Sequence, residues 1–258
     1  MSVAVDIALH STCFSITWIA RSFLTGTLIM NASIARIKRI WQYVFSARTD
    51  YITYALWVRL NGLDFSSVLA KDLGLSEKLS GHHSASGGVF LSDILKKIEI
   101  PPKSRIVDLG CGKGSAICTI AEFPFEEVVG VELSEELVRI AQNNCRKLGI
   151  EKASICVADA GDFRELDRFT HIYMYNPFSQ VVMTKVMQNL AVSLKRSPRK
   201  LTVIYFYPVY HEAIIQSGLF QTAVEIQAKF THSCRIYVHE HEFVGDPPQW
   251  RATSYPSR

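Results

Sequence analysis

Short apolar runs rich in β-branched residues alternate, from residue 89 onward, with segments whose apolar residues recur at helical spacing. Continuous or alternating apolar runs indicate strands, whereas apolar positions spaced along one helical face indicate helices. We therefore predict helices at 89–98, 116–121, 181–194 and 211–216, and strands at 104–107, 128–132, 153–160, 170–175, 201–206, 221–230 and 233–240. Such alternation predicts an α/β fold with a doubly wound, mostly parallel sheet.

The chain before residue 80 has a different pattern. Apolar residues between 51 and 60 recur at helical spacing, and this predicted helix ends at Asn61–Gly62. A polar, glycine-rich stretch at 80–88 then precedes the helix predicted at 89–98. We divide the chain into an N-terminal helical extension at 1–79, an α/β domain at 80–244 and an irregular tail at 245–258.

A glycine-rich loop follows the first predicted strand. Asp108-Leu109-Gly110-Cys111-Gly112-Lys113-Gly114 separates this strand from a helix whose first N–H groups face whatever the loop binds. The dinucleotide fingerprint requires glycine where this chain has Ser115, and a phosphate-binding P-loop requires Ser or Thr directly after its lysine. The loop therefore predicts a nucleotide-type cofactor site of another kind.

The pattern Asp-x-Gly-x-Gly-x-Gly resembles the first motif of class I S-adenosylmethionine-dependent methyltransferases. That family has a seven-stranded, Rossmann-like sheet that ends in a C-terminal antiparallel hairpin. The resemblance implies S-adenosyl-L-methionine as the cofactor and places Asp108, Gly110, Gly112 and Gly114 in its binding site. It also implies that the polar stretch at 80–88 borders the cofactor and the substrate.

Three further strand ends match the family in sequence order. Glu132 ends the second predicted strand about 20 residues after the loop, where a βαβ unit presents an acid to a ribose diol. By resemblance, Asp159 and its neighbour Ala160 are expected near the adenine amino group. Asn176 is expected at the site of methyl transfer, in contact with both the cofactor and the acceptor.

The tripeptide Asn176-Pro177-Phe178 bears most directly on the acceptor. Proline has no N–H and ends the strand, which leaves the asparagine side chain at the carboxyl edge of the sheet. Families that methylate amino or amide nitrogen often have Asn-Pro-Pro followed by Tyr or Phe, and this chain has one proline fewer. Simple strand termination is an equally valid interpretation.

We slightly favour a small molecule or a glycan as the methyl acceptor. The main alternative is a protein lysine, because the sheet end is loosely similar to that of the histone lysine methyltransferases with this fold. A non-catalytic scaffold that only binds the cofactor is a further alternative. Nucleic acid is disfavoured, since the formal charge of +4 is spread along the chain without a basic stripe of interleaved aromatic residues.

Two adjacent histidines lie in the polar stretch. A side-chain pKa near neutrality suits a general base, and we rank His83 first, His82 second and His211 third for that role. A surface turn is the competing interpretation. We predict no metal site, because adjacent residues of an extended chain point to opposite faces and no nearby Asp, Glu or Cys completes a ligand set.

The first 46 residues contain apolar stretches that His10, Arg21 and several Ser and Thr residues interrupt. No uninterrupted apolar run reaches the ~18 residues of a membrane-spanning helix. The leader lacks the basic residues of a secretory signal and carries the acidic Asp6 instead, which argues against such a signal. Helices that pack on the catalytic domain are the favoured interpretation; organelle targeting and peripheral membrane contact are the alternatives. The six cysteines lack CxxC spacing and suit a reducing compartment, so we expect a cytoplasmic protein.

Overall fold

A seven-stranded sheet forms the centre of the protein. The structure is a computed structural model that describes residues 56–68, 86–176, 178–220, 222–227 and 233–240. Its strands are β1 Arg105–Leu109, β2 Glu127–Glu132, β3 Ala153–Val157, β4 His171–Tyr175, β5 Leu201–Phe206, β6 Thr222–Gln227 and β7 Ser233–His239.

The strand order is β3-β2-β1-β4-β5-β7-β6. Strands β1 to β5 pair in parallel, whereas β7 is antiparallel to both β5 and β6. The mostly parallel sheet and the C-terminal antiparallel hairpin are therefore confirmed. From β1 the chain adds β2 and β3 on one side and then returns to add β4 and β5 on the other. The carboxyl ends of β1 and β4 therefore flank a topological switch point, which is where ligands bind in open α/β sheets.

Helices cover both faces of the sheet. They are α1 Val89–Leu95, α2 Ser115–Ile120, α3 Glu135–Lys147, α4 Gln180–Arg196 and α5 His211–Gln216. Along β4, Ile172 and Met174 join the core under α4 and α5, whereas Tyr173 joins the core under α1, α2 and α3. Successive side chains of a strand alternate between faces, so a continuously apolar strand builds two cores at once. This arrangement confirms the doubly wound fold.

Helix α3 is absent from the sequence predictions, although its start carries a standard capping signal. The Ser134 hydroxyl accepts a hydrogen bond from the Leu137 N–H at 3.4 Å, and two glutamates occupy the first turn. Basic residues occupy the last turn, where they oppose the negative end of the helix dipole. From residue 89 onward the other predicted elements are present, with ends that differ by at most three residues.

The described part of the N-terminal extension is short. Residues 56–60 are helical, and the helix ends at Asn61–Gly62 as predicted, where Gly62 adopts a φ of 61°. The three interpretations of the first 46 residues lie outside the described residues, and the three-part division of the chain stays a prediction. Among the described residues, no helix is both long and apolar enough to cross a bilayer.

Candidate active site

The glycine loop lies at the carboxyl end of β1, between β1 and α2. Gly110, Gly112 and Gly114 adopt φ values of 86°, 53° and 79°, in the left-handed region that side chains disfavour. At Gly114, which precedes α2, a Cβ atom would lie 3.1 Å from the Ala141 Cβ. Both the backbone conformation and the close approach to α3 therefore require glycine at this position.

Glu132 lies beside the loop, as the spacing predicts. One carboxylate oxygen accepts a hydrogen bond from the Gly112 N–H at 3.0 Å, and the other accepts one from the Ser134 N–H at 2.9 Å. Each carboxylate oxygen has a second lone pair, so the same group can accept hydrogen bonds from ribose hydroxyls. The structure thus joins Glu132 and the glycine loop at one edge of the sheet.

Asp108 is buried under the loop, with 2% of its surface exposed. Its Oδ2 has no hydrogen-bond partner among the described residues. Burial, and secondarily the negative charge of Glu132, raise the pKa of the Asp108 carboxyl well above its usual value. A buried carboxylate without partners is costly, and a cationic ligand group relieves that cost. The positive charge of S-adenosylmethionine fits the buried Asp108 carboxyl, whereas Glu132 has free lone pairs for the ribose hydroxyls.

Asp159 and Ala160 follow β3 with contrasting environments. The Asp159 side chain is exposed, and its Oδ1 accepts a hydrogen bond from the Gly161 N–H at 2.7 Å. Ala160 is buried in the core under α4. The hydrogen bond fixes the turn after β3 at the cofactor edge of the sheet, and the expected contact with adenine stays a prediction.

The predicted transfer residue Asn176 directly follows β4 and has a φ of 37°. Its Oδ1 accepts a hydrogen bond from the buried Tyr205 hydroxyl at 3.3 Å, and that hydroxyl accepts one from the Tyr210 N–H at 3.4 Å. Burial raises the pKa of Tyr205 and keeps its hydroxyl protonated as a donor. On the neighbouring strand end, Tyr207 also has a left-handed φ, 48°. Strained residues of this kind concentrate at functional sites.

Aromatic rings accompany Asn176. Tyr175 and Phe178 are half-buried, and the Tyr175 ring centroid lies 6.1 Å from that of Phe206. Phe178 packs against the core under α4. Pro177, between Tyr175 and Phe178 in the sequence, lies outside the described residues. The end of β4 thus presents an amide flanked along the chain by partly exposed aromatic residues.

The end of the polar stretch lies against α2. The Gly87 N–H donates to the Ser115 hydroxyl at 3.1 Å, and the Gly88 N–H donates to the Thr119 hydroxyl at 2.8 Å. A Cβ atom on Gly87 would lie 2.2 Å from the Ser115 carbonyl oxygen, so only glycine permits this approach. Residues 86–88 therefore border the glycine loop, in agreement with the resemblance.

The structure describes one of the three candidate bases, His211. His82 and His83 lie outside the described residues, so their role stays a prediction. His211 begins α5, with its Nδ1 2.7 Å from the Tyr237 hydroxyl oxygen. Burial, and then the charge of Arg235, lower the pKa of His211. Among the described residues, no hydrogen bond connects His211 to Asn176.

Sequence reasoning missed one set of contacts to the loop. Lys113, between two of the glycines, pairs with Asp64 from the segment before the α/β domain, and Asn144 of α3 bonds to both residues. A lysine inside a buried loop signals that a counter-ion is needed. Its identity was not accessible from the sequence, because these residues are far apart along the chain.

Comparisons with known proteins place the chain in a family. Residues 100–239 match the sequence profile of a methyltransferase domain. Over 235 residues, which cover 90% of this chain and 91% of its relative, the chain is 21% identical to Protein-lysine N-methyltransferase EFM4 of Saccharomyces cerevisiae. It is 29% identical over 151 residues to a protein-lysine N-methyltransferase of Saccharolobus islandicus, covering 56% of this chain and 87% of that one.

Among solved structures, a SAM-dependent methyltransferase from Aquifex aeolicus superposes with a TM-score of 0.49 and 15% identity, covering 58% of this chain and 89% of that chain. The family match covers more than half of the sequence and includes the glycine loop and all strands of the sheet. This chain therefore belongs to the class I S-adenosylmethionine-dependent methyltransferases.

Proposed function

We propose that this enzyme methylates the side-chain nitrogen of a lysine in a protein. The observation that carries the proposal is the similarity to the yeast protein-lysine N-methyltransferase, which spans 90% of this chain and so extends beyond the domain at 100–239. The archaeal relative is also a protein-lysine N-methyltransferase. These two relatives change the order of preference from the sequence analysis, which placed a small molecule or glycan first.

Methyl transfer from S-adenosylmethionine requires few catalytic groups from the protein. S-adenosylmethionine supplies a methyl group already activated by its sulfonium, so the protein must align a neutral amine and exclude water. The amide oxygen of Asn176 is a hydrogen-bond acceptor suited to an amine N–H. Its hydrogen bond from Tyr205 limits the orientations that the amide adopts.

The rings of Tyr175 and Phe178 suit the rest of a lysine side chain. Both rings are half-buried beside Asn176, and the four methylenes of lysine gain from contact with apolar surface. The lysine ammonium must lose a proton before its nitrogen attacks, and it can do so in solvent before the neutral amine enters the site from which water is excluded. In this proposal Asn176 orients the nitrogen and the aromatic rings hold the methylene chain.

Transfer of a tritiated methyl group to a proteome extract tests the acceptor. One portion of the extract is left native, and a second is treated with acetic anhydride so that its lysine amines are blocked. After incubation with the enzyme and methyl-labelled S-adenosylmethionine, acid hydrolysis and amino-acid analysis identify the labelled residue. We expect label in Nε-methyllysine from the native portion only.

The Glu132→Ala variant, which we expect to bind the cofactor poorly, serves as the background control. Protein label that survives acetylation would contradict the proposal. Enzyme-dependent label in a dialysable product other than S-adenosylmethionine would support the small-molecule acceptor instead.

A further inference from the structure

Lys113 is a charged side chain buried inside the cofactor loop. It is the only charged residue of the loop 110–114, and 4% of its side chain is exposed. An ammonium removed from water is costly unless hydrogen bonds and a counter-charge replace the lost hydration. Lys113 meets both needs: its Nζ donates to both carboxylate oxygens of Asp64 and to the Ser66 hydroxyl, each at 2.8 Å. All three ammonium protons are used in this way.

Asp64 is held in place independently of Lys113. Its Oδ1 accepts hydrogen bonds from the Ser66 N–H at 3.0 Å and the Ser66 hydroxyl at 2.6 Å. Partial burial raises the pKa of Asp64, but the hydrogen bonds from Lys113 and Ser66 outweigh this effect, so the pKa is lowered. The carboxylate is therefore charged at neutral pH and preorganised for the lysine.

Asn144 connects the backbones of the same two segments. It lies on α3 with 1% of its surface exposed. Its amide nitrogen donates to the Asp64 carbonyl at 2.9 Å and to the Lys113 carbonyl at 3.0 Å. Its amide oxygen accepts from the Asp64 N–H at 3.1 Å. We call Asp64, Ser66, Lys113 and Asn144 the loop clamp.

The loop clamp and Glu132 hold neighbouring residues of the glycine loop. Glu132 holds the Gly112 N–H, and the clamp holds the next residue, Lys113, by both its side chain and its carbonyl. Glycine alone confers no rigidity on the backbone, because it has the largest conformational freedom of any residue. A loop of alternating glycines therefore needs side chains from elsewhere to fix it before a ligand arrives.

We propose that Asp64 and Asn144 are positioning residues for S-adenosylmethionine, and that residues 62–66, which precede the family domain, form an integral part of its cofactor site. The clamp preorganises the loop, so the free energy of ordering it is not subtracted from cofactor binding. This inference depends on cofactor binding alone and not on the lysine acceptor. Both residues act through the loop without contact to the reacting atoms.

Calorimetric titration with S-adenosylhomocysteine tests the proposal without any acceptor. Asp64→Asn preserves the shape of the side chain and removes its charge, and we expect the Kd to rise about tenfold, within the usual range of coupling between sites. Asp93→Asn is the matched control, because Asp93 pairs with Lys96 on the exposed surface of α1. That variant should bind as the wild type does.

Hydrogen exchange of the unliganded protein separates positioning from general stability. In Asp64→Asn, amides of residues 110–116 should exchange faster, whereas those of β4 and β5 should be unchanged. If Asp64→Asn does not fold, Asp64→Glu keeps the charge but displaces the carboxylate, and should give a smaller rise in Kd at an unchanged Tm. An unaltered Kd in the folded variant, or equal acceleration of exchange across the whole sheet, would overturn the proposal.

Discussion

The carboxyl edge of the sheet has one half at the ends of β1 and β2 and another at the ends of β4 and β5. Both halves contain backbone positions in the left-handed region, but different residue types occupy them. After β1, the left-handed positions Gly110, Gly112 and Gly114 are glycines. At the ends of β4 and β5, they are Asn176 and Tyr207. A left-handed conformation costs most residues with a side chain roughly 1–2 kcal/mol, and Asn tolerates it better than Tyr. The half after β4 and β5 therefore keeps side chains at positions where glycine would fit, and we expect these side chains to be needed there.

The surfaces of the two halves differ as well. The half after β1 and β2, which we call the cofactor half, combines a buried acid, Asp108, with a half-buried one, Glu132, which accepts a hydrogen bond from a loop amide. Exposed apolar side chains occur in both halves, at Leu133 and Val157 in this half and at Tyr207 and Val209 after β5, so the acids are what distinguish it. Cofactor chemistry is shared across the family, whereas the acceptor is particular to each enzyme. The residues after β1 and β2 therefore follow the family pattern, whereas those after β4 and β5 are particular to this chain.

The largest expected effect comes from removing the acid that supports the cofactor half. Glu132→Ala deletes the acceptor for the Gly112 and Ser134 N–H groups, and hydrogen bonds to charged groups contribute about 1.5–3 kcal/mol each. We expect the Kd for S-adenosylhomocysteine, measured by calorimetry, to rise on the order of a hundredfold. Glu132→Gln retains one acceptor oxygen, so its Kd should lie between those of the wild type and Glu132→Ala. A Kd within twofold of the wild type would show that the carboxylate does not organise the site.

Asp108→Asn should change affinity and stability in opposite directions. Because the pKa of Asp108 is raised in the folded protein, its contribution to stability is full below the unfolded pKa of about 3.9 and is lost as pH rises through the folded pKa. At neutral pH the unliganded variant should therefore have a higher Tm, while its S-adenosylhomocysteine Kd rises about thirtyfold through loss of a charged acceptor.

The pH dependence checks this reasoning about Asp108. The difference in Tm between Asp108→Asn and the wild type should disappear at acidic pH, where both carry a neutral group. Cofactor affinity of the wild type should increase as pH rises through the Asp108 pKa. A variant less stable than the wild type at neutral pH would contradict the assignment of Asp108 as a destabilised acid.

Two substitutions of Asn176 test whether its left-handed backbone or its side-chain amide is needed for activity. Asn176→Ala and Asn176→Gly both remove the amide, but only glycine relieves the left-handed backbone, by about 1 kcal/mol. We expect both variants to lose kcat on the order of tenfold, with a smaller rise in the S-adenosylhomocysteine Kd from the lost cofactor contact, and the glycine variant to be the more stable in denaturant unfolding. Full activity in Asn176→Gly would mean that the conformation, and not the amide, is what matters.

The smallest effect should come from the residue that supports this amide. Tyr205→Phe removes the hydroxyl that donates to Asn176 Oδ1, at 3.3 Å in the wild type. We expect kcat to fall about threefold, since a neutral hydrogen bond contributes about 1 kcal/mol. Combined with Asn176→Ala, the Tyr205→Phe change should add nothing further. Additive losses would place Tyr205 in a separate role.

The cofactor half was the more predictable of the two. Its glycines, Asp108 and Glu132 are spaced by local rules of the βαβ unit, and the mostly parallel sheet with its C-terminal hairpin followed from the resemblance. The capping serine of α3 was also available in the sequence, but the helix was overlooked. Lys113 and Asp64 are 49 residues apart, and no local pattern joins them. The link between Asn176 and Tyr205 is equally remote, because it depends on the pairing of β4 with β5.

Asn144 has a consequence for where this protein can be shortened. Sequence similarity recognises a domain that begins at residue 100, yet both amide hydrogens of Asn144 are shared between Asp64, before that boundary, and Lys113, after it. In a truncated chain that starts at residue 100, the Lys113 ammonium would lose Asp64 and Ser66, and the Asn144 amide would keep only the Lys113 carbonyl. We therefore expect fragments that begin after Asp64 to be less stable, and to hold the glycine loop less firmly, than fragments that begin upstream of Gly62.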